Sequence, residues 1–105
     1  MIRAEFFIDH SGMLTGFHIN GHAGLAEKGE DVLCAFVSSA AYMTANTITE
    51  IIGADADAEA DDGDMFLTVR EKIIECQTIL NGLRLHLEET EKQYPEYLET
   101  YVSVI

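Results

Sequence analysis

A cysteine becomes a nucleophile near neutral pH only when its thiolate is stabilised and a base takes its proton. Two segments of this 105-residue chain supply those parts close together: Asn20-Gly21-His22-Ala23-Gly24 and Glu30-Asp31-Val32-Leu33-Cys34-Ala35. Asp31 has the side chain of a helix N-cap, whose carboxylate accepts an amide of the first turn. Counted from that cap, Cys34 is the third helical residue. Unpaired N–H groups there favour negative charge and can hold an oxyanion. His22 can reach the thiol across a short loop, taking its proton first and returning one to a leaving amine later.

The residues around the pair fit the same chemistry. Ser38 lies one turn beyond Cys34 on the same helical face, where a hydroxyl can hydrogen-bond at the site. Gly21, Gly24 and Gly29 disfavour regular structure between base and nucleophile. With Lys28, Glu27 and Glu30 they read as a mobile loop that admits a peptide when open and excludes water when closed. Asp31 has a second reading, orienting the imidazole, which it cannot readily serve while engaged as a cap.

Plainer readings stand beside these. A cysteine between Leu33 and Phe36 also has the surroundings of a small buried hydrophobe, and Gly-His-Ala-Gly those of an ordinary turn. His18, His22 and Cys34 can be drawn as a zinc site. No Cys-x-x-Cys or helical His-x-x-x-His pair supports it, so no metal is expected. Cys76 falls on the apolar stripe of a second helix and reads as core. His10 and His86 read as turn and surface residues.

The elements that must position the pair follow from hydrophobic period. Ile2 to Asp9 and Leu14 to Asn20 read as a hairpin around His10-Ser11-Gly12, with Phe17 and Ile19 on one face and His18 and Asn20 on the other. From Val32 to Ile52 the apolar residues Leu33, Phe36, Val37, Ala40, Met43, Ile48, Ile51 and Ile52 recur at helical spacing, and Gly53 ends the run. Ala54 to Ala60 alternates alanine with acid, a strand period built on a poor strand former. Asp61 to Asp64 turns, and Met65 to Val69 returns as a strand. Glu71 to Tyr94 is a second helix with Ile73, Cys76, Ile79, Leu80, Leu83 and Leu87 inward. Pro95 stops it, and Tyr97 to Val104 alternates as a last strand. The order β-β-α-β-β-α-β predicts an α+β fold, a largely antiparallel sheet with two long helices packed against it. Residues 1–105 read as a single domain.

With 19 acidic and 6 basic side chains, the formal net charge is −13. Such a surface repels phosphate backbones, so no nucleic-acid partner is expected. It attracts basic proteins, or serves solubility alone. Met1-Ile2-Arg3-Ala4-Glu5 lacks a signal-peptide layout, and no stretch is expected to cross a membrane. A cytoplasmic location follows, where a free thiol persists. A domain of this size has little room for a full substrate pocket, which makes a homodimer a reasonable expectation.

Gly21-His22-Ala23-Gly24, then Glu27-Lys28-Gly29-Glu30-Asp31-Val32-Leu33-Cys34-Ala35 and Val37-Ser38, resembles the signature of the ribosomal-processing cysteine proteases called Prp. The similarity extends over the length, the opening hairpin, the acidic middle hairpin and Tyr94-Pro95. The resemblance implies a bacterial endopeptidase that removes a short N-terminal extension from a large-subunit ribosomal protein of the bL27 type. It implies His22 as base, Cys34 as nucleophile, and Asp31 at the acidic position before the helix. It further implies a homodimer, a loop that moves on substrate binding, and no metal or organic cofactor. Two rivals remain: a non-catalytic acidic module that docks on a basic ribosomal protein or assembly factor, and a thiol redox sensor using Cys34.

Overall fold

The computed structural model describes the backbone of residues 1–21, 29–61 and 63–105, and the side chains of the same residues except 29–31. It begins with a hairpin of β1 (Ile2–Ile8) and β2 (Leu14–Gly21). Asp9 closes the turn. Its carboxylate accepts the N–H and Oγ–H of Ser11 at 2.9 and 2.6 Å and the N–H of Met13 at 3.1 Å. This is the aspartate turn chemistry expected where a chain must reverse. Those bonds hold the Asp9 carboxyl below its ordinary value, the Ser11 hydroxyl contributing most.

Helix α1 (Gly29–Asn46) runs into a π-helical turn, Thr47–Ile52, followed by β3 (Ala56–Asp61), β4 (Asp64–Val69), α2 (Ile73–Gln93) and β5 (Leu98–Val104). The sheet order is β3-β4-β2-β1-β5. Among the described residues β1 and β5 pair in parallel, and β1 with β2, β2 with β4 and β3 with β4 pair antiparallel. The α+β reading, the element order and the largely antiparallel sheet therefore hold.

Both helices cover one face of the sheet. Ile2, Ala4, Phe6, Phe17, Ile19, Leu67 and Leu98 point into that layer and meet Leu33, Val37 and Ala41 of α1 and Cys76, Leu80, Leu83 and Leu87 of α2. The alternation of Phe17 and Ile19 inward with His18 and Asn20 outward is as the strand period predicts. Gln77 ties α2 to the sheet. Its Oε1 accepts the Leu14 N–H at 2.8 Å and its Nε2 donates to the Leu14 carbonyl at 2.7 Å. Gln77→Ala strands both backbone groups in a part-buried place. A loss of about 1–3 kcal/mol is expected in urea unfolding.

Three expectations are corrected. The buried stripe of α1 is Leu33, Val37, Ala41 and Thr44, continued by Ile48, whereas Phe36, Met43 and Ile51 are exposed. A helix with apolar residues almost all round leaves its inner face undetermined by period alone. Second, Val32–Ile52 does have the length and mean hydropathy, 1.3, of a membrane-spanning helix, contrary to the reading that no stretch does. The same composition serves a helix that lines a core, which one side of this one does. Third, α1 starts at Gly29, so Asp31 lies inside the helix and does not cap it. Glu30 and Asp31 are acids in a first turn, where the macrodipole favours them, and the helix extends upstream by that turn.

The end of α1 has a local cause. Thr44, Thr47 and Thr49 each donate a hydroxyl to the carbonyl four residues back, at 2.9, 2.7 and 3.1 Å. Such back-bonding loosens a helical ladder, and the chain passes into a π turn. Gly53 then terminates it at φ +74°, the left-handed cap anticipated from sequence.

Candidate active site

Cys34 sits on the flank of α1, next to the buried stripe, and is partly exposed. Its neighbours on that flank are Ser38 and Tyr42, one and two turns on. The three line a cavity of about 180 Å³. The end of β2 supplies the second wall with Asn20 and Gly21, and the β3–β4 hairpin supplies the third with Asp61, Gly63 and Asp64.

Gly21 is held by backbone on two sides. Its N–H donates to the Gly63 carbonyl at 3.0 Å. Its φ is +96°, and a Cβ built there would stand 2.2 Å from the Met1 carbonyl oxygen. Only glycine combines that left-handed angle with that close approach. The strand that leads into His22 thus ends at a fixed point on the wall of the Cys34 cavity.

Of the residues singled out from sequence, Cys34, Ser38 and Gly21 come together at this cavity. Gly29 is the first residue of α1. Asp31 lies in the first turn, and its side chain falls outside the described residues. His22, Gly24 and Lys28 also lie outside them. Since α1 starts at Gly29, Cys34 is the sixth helical residue. Only the first four N–H groups of a helix lack an internal acceptor, so the expected open amides at the thiol are one turn upstream of it.

His18 does not join the site. It faces the side of the sheet away from the helices, where Nε2 lies 2.6 Å from Asp64 Oδ1 and the ring packs edge-on against Phe66. Among the described residues no group of three His, Cys, Asp or Glu side chains is placed to hold a metal.

Asn20 and the hairpin wall carry no site signal in the sequence, whereas Tyr42 stands out there as a bulky residue able to shape the pocket. Asp61 to Asp64 reads as a turn and nothing more until β4 pairs with β2, Ile19 opposite Met65 and Asn20 opposite Asp64. That pairing joins residues more than forty positions apart, and no local signal carries it.

Cys76 is fully buried in α2, and burial pushes its thiol up. Iodoacetamide is therefore expected to label Cys34 at least ~100-fold faster than Cys76, which reacts only through opening of the fold. Peptide mapping over a labelling time course reads the two rates.

The family model described as Cysteine protease Prp matches residues 1–99. The chain belongs to the Prp cysteine protease family. The ribosomal processing cysteine protease Prp of Bacillus subtilis is 26% identical over 112 residues, covering 100% of both chains. That of Staphylococcus aureus is 27% identical over 99 residues, covering 91% of this chain and 93% of the relative. The crystal structure of the S. aureus Prp with a covalently linked product peptide superposes with a TM-score of 0.88. It is 25% identical and covers 98% of this chain and 100% of that one. Membership in Prp makes this a cysteine protease of the ribosomal-processing type.

Proposed function

We propose that this Prp member cuts the N-terminal extension from a large-subunit ribosomal protein of the bL27 type, with Cys34 as nucleophile and His22 as base. One observation carries the reading: the partly exposed Cys34 shares a cavity with Gly21, whose next residue in the chain is His22.

His22 removes the thiol proton, and Cys34 Sγ attacks the scissile carbonyl carbon. The tetrahedral oxyanion collapses, the C–N bond breaks, and the imidazolium gives its proton to the leaving amine of the mature ribosomal protein. The extension stays on the enzyme as a thioester. Water, deprotonated by His22, attacks that carbonyl and releases a carboxylic acid and the free thiol. Because Cys34 is beyond the first turn, Ser38 is assigned as a hydrogen-bond donor to the oxyanion. No metal or organic cofactor enters these steps.

The enzyme acts in the cytoplasm as a homodimer in this reading, without nucleic acid. The exposed apolar side of α1, with Val32, Phe36 and Met43 beside Ile79 and Gly82 of α2, supports a second copy as partner. Sedimentation of the purified protein reads that state.

Incubation with a peptide spanning the extension junction tests the activity. Two products whose masses sum to the peptide plus one water are expected, and none from the Cys34→Ala protein.

A further inference from the structure

The Cys34 cavity does not end at Tyr42. A second cleft of about 170 Å³ begins on the other side of the same tyrosine and shares Met65 with the first. Its wall is the next part of α1 and the π turn, Ala45, Asn46 and Thr49. Its floor is the β3–β4 hairpin, where Ala58 and Ala60 stand beside Leu67. Cys34, Ser38, Tyr42, Ala45 and Thr49 fall on one stripe of the helix, so the two hollows form one groove along α1.

The composition of β3 explains why the groove is open. Ala58 pairs with Leu67 and Ala60 with Met65, so these alanines face the helix layer. They are nevertheless exposed. A valine or isoleucine, the ordinary strand residues, would reach toward α1 and fill the gap. Alanine lacks that reach and is a poor strand former, so the strand forgoes intrinsic stability and leaves space. On its other face the same strand carries Asp57, Glu59 and Asp61, of which Asp57 pairs with Arg70. The thickness of one strand lies within a Debye length of about 8 Å, so these acids lie close enough to favour a basic chain in the groove.

We propose that the substrate chain continues from the Cys34 cavity past Tyr42 into this alanine-floored groove, and that Ala58 and Ala60 set the size of the side chains it accepts. The inference rests on the proteolytic reading of Cys34. The occupant is the stretch of the ribosomal precursor on one side of the scissile bond, extended, with apolar side chains over the alanines. Three arguments select it over another occupant. The groove is continuous with the Cys34 cavity, the acids of β3 complement a basic ribosomal chain, and the groove runs beside a strand, the direction an extended chain takes. Tyr42, shared by both hollows, is the boundary between the residues at the reacting bond and those that follow.

The test compares Ala58→Phe with the unaltered protein on two peptides: a long one spanning the junction, and the same peptide trimmed to two residues on each side of the cut. Ala58→Phe is expected to lower the ratio of long-peptide to short-peptide kcat/KM about tenfold, chiefly through KM. Position 58 is exposed on an edge strand and phenylalanine is a good strand former, so the melting temperature is expected to hold and separates misfolding from a blocked groove. An unchanged ratio in a folded variant overturns the proposal. A protein that cleaves neither peptide overturns the proteolytic reading instead. The groove is then judged by titration of the long peptide into the Cys34→Ala protein. Binding weakened about tenfold by Ala58→Phe supports it, and equal binding overturns it.

Discussion

Cys34→Ala is expected to lower kcat/KM for the junction peptide by on the order of 10⁴-fold or more, with the fold intact. The size follows from covalent catalysis. Without the sulfur there is no thioester, and water must attack the peptide directly. The fold survives because Cys34 only flanks the core, whose α1 contribution is Leu33, Val37 and Ala41. His22→Ala is expected to approach the same loss, and the double variant to add little beyond either single one, since base and nucleophile act as a unit. Thermal melting beside steady-state kinetics separates lost chemistry from lost structure. Additive losses in the double variant would mean that the two residues do not act on one proton.

Gly21→Ala is the second large effect. The new methyl would stand 2.2 Å from the Met1 carbonyl oxygen, on a backbone already at φ +96°. The clash is with backbone on one side, and the Gly21 N–H bond to the Gly63 carbonyl holds the strand on the other. A loss of about 2–3 kcal/mol in stability is expected from forced overpacking and the left-handed angle. The activity loss is expected to be larger, about 100-fold in kcat/KM at a temperature where the variant is still folded, because small misplacements of a catalytic group are costly. Urea unfolding and peptide cleavage on one preparation give both numbers. If cleavage falls only in proportion to the folded fraction, Gly21 serves the sheet and not the site.

The parts of this molecule legible in the sequence are those whose information is local. The turn at His10-Ser11-Gly12, the inward Phe17 and Ile19, the α2 stripe through Cys76, Leu80, Leu83 and Leu87, and the Gly53 cap each depend on a few neighbouring residues. The inner face of α1 was not legible. Phe36 and Met43 are as apolar as Val37 and Ala41, and only the sheet decides which pair is covered. Cys34 and Ser38 were legible as one helical flank. The hairpin wall that completes their cavity was not, since it arrives through the pairing of β4 with β2. The start of α1 is ambiguous in the sequence for another reason. Asp31 is a good cap in isolation, but Glu30 and Asp31 are equally good first-turn acids, and the two states differ by little. The alanines of β3 looked like a weak strand; beside α1 they become the floor of a groove.

Rapid quenching of the enzyme with excess junction peptide, followed by intact-protein mass spectrometry, tests most directly that proteolysis runs through the Cys34 sulfur. A transient adduct on Cys34 weighing the N-terminal fragment less one water is expected, rising before free product and missing from the Cys34→Ala protein. Product that forms without any such adduct, and forms equally from Cys34→Ala, would contradict a route through the sulfur.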